Sequence, residues 1–159
     1  QRQMCIRDRG YCANGEEKPL AKGEAKAYLA GLQEFLGKIP ADDAGRLLLF
    51  GEQLYLMPEH MPATRRLHVL RPGLHLGTVK KNRLEPAHAL ALAISPQEAC
   101  HSWNLSVDEA RAYLAGQTFP AQGEKGWYLI TVDGYSLGWG KLAGSVMKNH
   151  YPKGLRKLL

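Results

Sequence analysis

The 159-residue chain has no uninterrupted apolar run approaching the roughly 18 residues a membrane helix needs. It shows no secretory leader either, because its first residues are polar and no apolar stretch follows them. Cysteine is scarce. Cys5, Cys12 and Cys100 make an odd number without a CxxC pair, which excludes a disulfide framework and a thiolate zinc site. A reducing cytoplasm fits that usage.

The marks of common active sites are missing as well. Gly73-Leu74-His75-Leu76-Gly77 has too few glycines for a dinucleotide loop and no helical pattern behind it. There is no P-loop, and Gly144-Ser145-Val146 lacks the second glycine of a nucleophile elbow. Six histidines occur (His60, His68, His75, His88, His101, His150), none spaced three or four from another on a helix. His68 and His75 lack a third ligand, so no metal is expected. His88 reads as a hydrogen-bonded structural histidine on an apolar helix. The adjacent Cys100-His101 is a poor thiol–imidazole pair, because such pairs come from distant segments.

What is present is a globular composition, with 45% hydrophobic and 23% charged residues. The net charge is +6, and its distribution is uneven. Arg65, Arg66, Arg71, Lys80, Lys81 and Arg83 lie between Arg65 and Leu84 without an acid. Lys141, Lys148, Lys153, Arg156 and Lys157 lie between Gly134 and Leu159, again without one. The rest of the chain is net acidic. Two basic runs interleaved with aromatic, His and Gly residues suit a polyanionic partner, RNA above all.

Residues 1–9 do not read like the remainder. They resemble translated adapter sequence, are taken as non-native, and imply a gene continuing upstream. Residues 10–23 read as a linker. The spacing of Tyr28, Leu29, Leu32, Phe35 and Leu36 predicts an amphipathic helix over Glu24–Gly37. Arg46–Phe50 and Gln53–Met57 read as a hairpin, and Leu67–Leu70 and Leu74–Lys80 as strands around the Pro72-Gly73 turn. These make a helix plus β-rich domain over 24–84. A second domain over 85–159 opens with a helix from Pro86 to about Ile94. Ser106 and Glu109 form a capping box for a helix stopping at Gly116. Trp127–Val132 and Tyr135–Lys141 flank Asp133-Gly134 as a hairpin. The class is α+β, with two small β-barrel-like modules and short helices.

The C-terminal string carries the most information: Gly138-Trp139-Gly140-Lys141, then Lys148-Asn149-His150-Tyr151-Pro152-Lys153-Gly154-Leu155-Arg156. Its cations suit phosphates, Asn149 and His150 suit a base edge or a 2′-hydroxyl, and Trp139 or Tyr151 suits stacking on an unpaired base unless claimed by the core. This run resembles the end of RsmF-type members of the Sun (Fmu) methyltransferase family. Leu70–Gly77 and Lys80–Leu90 are similar to that family's junction between its first C-terminal domain and its PUA-like domain, and the Tyr113–Gly116 turn and Gly126–Gly138 hairpin are similar too.

The resemblance implies a PUA-like second domain and a role in rRNA (cytosine-C5) methylation. Family members use S-adenosylmethionine and a cysteine in a Pro-Cys motif. Here the cysteines follow Met4, Tyr11 and Ala99, so no catalytic residue and no cofactor are assigned to this chain. What the resemblance carries over is RNA binding, mapped onto Lys141, Lys148, Asn149, His150, Tyr151, Lys153 and Arg156, with Lys80, Lys81 and Arg83 as a second patch. The expected partners are small-subunit rRNA and the protein's own methyltransferase domain, with no membrane. The alternative is a structural module packing on that domain or on ribosomal protein, its charge incidental.

Overall fold

A computed structural model describes residues 20, 22–37, 46–58, 69–81 and 83–156. These fall into two compact units. One draws on residues 1–31 and 40–87, the other on residues 32–39 and 88–159. The observed class is α+β, as the alternation of patterns predicts.

The first unit holds helix α1 (Lys22–Leu32) and strands β1 (Leu47–Phe50), β2 (Gln53–Leu56), β3 (Leu74–Lys80) and β4 (Arg83–Pro86). The strands form an antiparallel meander in chain order. Gly51, at φ +57, makes the tight turn between β1 and β2. Leu48, Phe50 and Tyr55 cluster beneath it, with Phe50 edge-on to Tyr55 at 6.4 Å. Of the strand expected at Leu67–Leu70, Leu67 and His68 lie outside the described residues, and Val69 and Leu70 are not in a strand.

Two expectations need correction. The helix predicted over Glu24–Gly37 ends at Leu32. Phe35 and Leu36 keep helical spacing but leave the helix to pair with another segment. Leu36 bridges Ala99, the Cys100 N–H donates to the Phe35 carbonyl, and the Gly37 N–H donates to the Glu98 carbonyl. Pro86 does not open a helix. It ends β4, paired with Gly77, and helix α2 runs over His88–Ala93.

The second unit continues with β5 (Ser102–Leu105), α3 (Val107–Leu114), β6 (Phe119–Pro120), β7 (Gly126–Val132), β8 (Tyr135–Ala143) and β9 (Val146–Asn149). The sheet order is β5-β7-β8-β9-β6, with β5 parallel to β7 and the other pairs antiparallel. The sheet is curled: Trp103 on one edge strand and Phe119 on the other have ring centroids 6.4 Å apart. Side chains alternate across a strand, so each face has its own core. Tyr128, Ile130, Leu142 and Met147 pack with Leu105, Ala110 and Tyr113 on the α3 side. Trp127 and Trp139 meet Phe35 on the other.

Local chemistry explains these elements. The Ser106 hydroxyl accepts from the Glu109 N–H, and the Glu109 carboxylate accepts from the Ser106 N–H, so the box closes as predicted. Helix α3 ends where Gly116 takes φ +94. Asp133 and Gly134 have φ of 48° and 82°, the left-handed pair of a type I′ turn matched to the twist of β7 and β8.

Candidate nucleic-acid interface

The second basic run lands on the far end of the β7-β8-β9 sheet. Trp127 is opposite Lys141 in register, and Lys141 is opposite Lys148. These three therefore lie in one row across three strands, on one face. The Lys141 Nζ sits 4.9 Å from the centroid of the Trp127 ring, within cation–π range. His150 meets the same indole edge-on at 4.5 Å. Lys148, His150 and Lys153 are exposed and Lys141 is half-buried. Lys153 begins a short 3-10 turn over Lys153–Leu155.

Three other residues of the string are engaged internally. Asn149 donates from Nδ2 to the carbonyls of Tyr113 (2.7 Å) and Gln117 (2.9 Å), and its Oδ1 accepts from the Tyr151 N–H (2.8 Å). That leaves no amide hydrogen for a base edge. Tyr151 is half-buried between His88 and Tyr113, at 5.2 and 5.6 Å between centroids, so it is no open stacking platform. Arg156 donates from Nε and Nη2 to the Tyr151 carbonyl at 3.3 and 3.2 Å. Its guanidinium lies over Gly116, where a Cβ would come within 2.9 Å of Nε and Cζ. Trp139, the other stacking candidate, is 2% exposed and belongs to the core. These groups fasten the C-terminal segment to the end of α3.

Sequence reasoning missed the two anchors of this arrangement. Trp127 holds Lys141, and Tyr113 supplies a carbonyl to Asn149 and a hydroxyl that donates to the Trp139 carbonyl at 2.9 Å. Burial pushes the Tyr113 phenol well above its usual range, helped by Tyr151 and opposed by Arg156. The glycine at 138 marks the crowding, since a Cβ there would come within 2.5 Å of the Tyr113 Oη.

The first basic patch occupies the β3–β4 hairpin of the other unit. Lys80 and Lys81 are exposed, and Arg83 is ion-paired with Glu85 at 2.9 Å. That pair is solvent-facing and contributes little to stability, but it spends part of Arg83's charge.

His88 is not the hydrogen-bonded histidine expected. Its Nδ1 is buried without a hydrogen-bond partner, and the ring stands edge-on to Tyr151. Burial lowers its pKa from the ordinary 6.5. The unfolded chain therefore takes up the proton first as pH falls. The stabilisation from neutral His88 is complete above pH 6.5 and is lost below it, as the folded histidine in turn titrates. Urea midpoints should fall between pH 7 and pH 5 by more in the parent chain than in His88→Gln. Parallel curves would show that His88 carries none of the pH dependence.

Cys100 and His101 form no dyad. The thiol donates to the Gln33 carbonyl at 3.2 Å and burial raises its pKa, while His101 stacks on Tyr128 at 5.0 Å. Among the described residues no group of three or more His, Cys, Asp or Glu is placed to hold a metal, and no helix is long and apolar enough to cross a membrane.

Residues 32–94 match the family described as the RsmF rRNA methyltransferase first C-terminal domain, and residues 100–157 match the methyltransferase RsmF PUA domain. The chain belongs to the RsmF methyltransferase family. Proteins named ribosomal RNA small subunit methyltransferase F are similar to it. The one from Klebsiella pneumoniae is 32% identical, over 86% of this chain and 28% of its own length. The one from Aeromonas hydrophila is 28% identical, over 86% of this chain and 29% of its own. The RsmF-type chain thus spans under a third of the curated relatives it matches. The curled sheet and helix α3 fall within the PUA match, whereas α2 falls within the match to the first C-terminal domain; the β8–β9 row lies on the former.

Proposed function

We propose that this chain is the RNA-docking, non-catalytic portion of an rRNA (cytosine-C5) methyltransferase of the cytoplasm. It would hold small-subunit rRNA so that the protein's own methyltransferase domain reaches its target base. The observation that carries this reading is the acid-free basic row of Lys141 and Lys148, with His150 against the same Trp127 ring, on a domain that matches a PUA family. Lys80, Lys81 and Arg83 serve as a second patch on the other unit. Asn149, Tyr151 and Arg156 enter this reading as fasteners of the segment that presents the lysines.

S-adenosylmethionine does not suit this chain. The described strand-to-helix junction that feeds a parallel strand, from β5 into α3, carries no glycine, and the Ser106–Glu109 box fills the start of the helix. The cofactor and the attacking cysteine are assigned to the methyltransferase domain.

Most of the affinity would come from phosphate contacts, so binding should weaken steeply with salt. The test is a salt series with a structured rRNA fragment and a DNA duplex of equal length. The parent chain should prefer the rRNA. Changing Lys141, Lys148 and Lys153 together to Ala should lower the slope of log K against log salt by roughly two to three. Equal, weak binding of both nucleic acids would instead favour a packing module. One observation supports that second reading: Leu92 on α2 and Tyr135 at the start of β8 are exposed, near where the Ser136 hydroxyl donates to the Ile94 carbonyl.

A further inference from the structure

Lys141 and Lys148 are directly opposed on neighbouring antiparallel strands. Like charges in that position are destabilising. The pairing is not a matter of loose side chains on a mobile loop. β8 is hydrogen-bonded on both sides, by β7 and β9, and Lys141 is further held by the Trp127 ring. Among the described residues neither lysine is ion-paired, and no acidic residue occurs anywhere from Gly134 onward. The register thus sets two lysines side by side on one face with no acid between them, and among the described residues the only contact that holds either is the Trp127 ring under Lys141.

We propose that Lys141 and Lys148, opposed in register on β8 and β9, form a seat for one phosphodiester group of RNA. This rests on the RNA-docking reading above. A phosphate between the two ammonium groups accepts charge-assisted hydrogen bonds from both and removes the repulsion at the same time. His150, on the same face against Trp127, stands at its rim. No aromatic face is open there: Trp127 is 4% exposed and carries Lys141 and His150. The seat therefore contacts RNA backbone, and its affinity should be insensitive to base identity.

The distinguishing consequence is that stability and binding respond with opposite signs. Lys148→Glu makes the opposed pair attractive. Its thermal midpoint should rise by about 1–6 °C, from the scale of cross-strand charge pairs and the size of the unit. Its affinity for a small-subunit rRNA fragment should fall roughly tenfold or more at 0.1 M salt, with the salt slope reduced by about one to two. Lys148→Gln should shift both in the same directions by less. Lys125→Glu, the same charge change on the exposed loop before β7, should leave the midpoint within a degree. An rRNA affinity unchanged in Lys148→Glu, while the parent chain binds, would overturn the seat and leave the docking reading standing. A lowered midpoint in both Lys148 variants would also overturn it, by making Lys148 a stabilising residue. If the parent chain does not bind rRNA at all, the docking reading fails first.

Discussion

Trp139→Ala is expected to destabilise the second unit by about 3–5 kcal/mol, the range for deleting a buried large aromatic side chain. The indole is 2% exposed and packs against Phe35, with centroids 6.1 Å apart, on the sheet face away from α3. Its neighbours are strands fixed by hydrogen bonds on both sides, so the space left behind cannot close cheaply. The backbone at this position matters as much. The Trp139 carbonyl accepts from both the Tyr113 hydroxyl and the His150 N–H. Alanine keeps those backbone bonds, so the loss measures what the indole side chain contributes. Chemical denaturation without RNA, followed by the remaining tryptophan fluorescence, reads the effect. A loss below about 1 kcal/mol would mean the indole is not core and would reopen its role as a stacking surface.

Asn149→Leu is expected to cost about 2–4 kcal/mol, from three hydrogen bonds of ordinary net worth and the polar groups left behind. One amide joins the end of α3 to the entry of the C-terminal segment. It satisfies the Gln117 carbonyl and the Tyr151 N–H, and it adds to the bonds at the Tyr113 carbonyl. Leucine has similar volume and offers none of this. Asn149→Asp should be no rescue, because a carboxylate would face two carbonyl oxygens at a helix C-terminus, where negative charge is disfavoured. Both variants are to be unfolded in urea without RNA. If they match the parent in stability and lose only rRNA affinity, Asn149 contacts RNA directly and the fastening role assigned to it is wrong.

Local signals in the sequence were read well where the chemistry is local. The Ser106–Glu109 box and the Asp133-Gly134 turn each satisfy their own backbone within a few residues, and both form where predicted. The failures share a cause in tertiary competition. Phe35 and Leu36 carry helical spacing but are drawn off by Ala99 and Cys100, some sixty residues on. Ser102–Leu105 is a strand because β7 offers it a parallel edge, which no periodicity in four residues announces. Pro86 has the fixed φ that suits a helix start, yet serves equally at the end of an edge strand.

The candidate site divides along the same line. The basic charge of the C-terminal string and its family resemblance were legible in the sequence. Which of its residues face solvent was not. Asn149, Tyr151 and Arg156 look like contact residues by type, but their partners are Tyr113, Gln117 and Gly116 on the preceding helix and turn, and only the fold brings those within reach. Lys141 and Lys148 are seven residues apart in sequence, and their opposition depends on the register of the β8–β9 pair.

The strand order β5-β7-β8-β9-β6 also dictates when this unit can be finished during synthesis. β6 is made before β7 and β8, yet among the described strands it pairs only with the later β9, and α3 likewise waits for the Asn149 amide at the end of β9. The β7–β8 hairpin can pair locally, but closing the sheet at β6 must await β9, since contacts between distant segments need both ends. A message cut short before Val146 would yield a chain with an unpaired edge strand and an uncovered apolar face. Such a product is a target for proteolysis rather than a weaker version of the same domain.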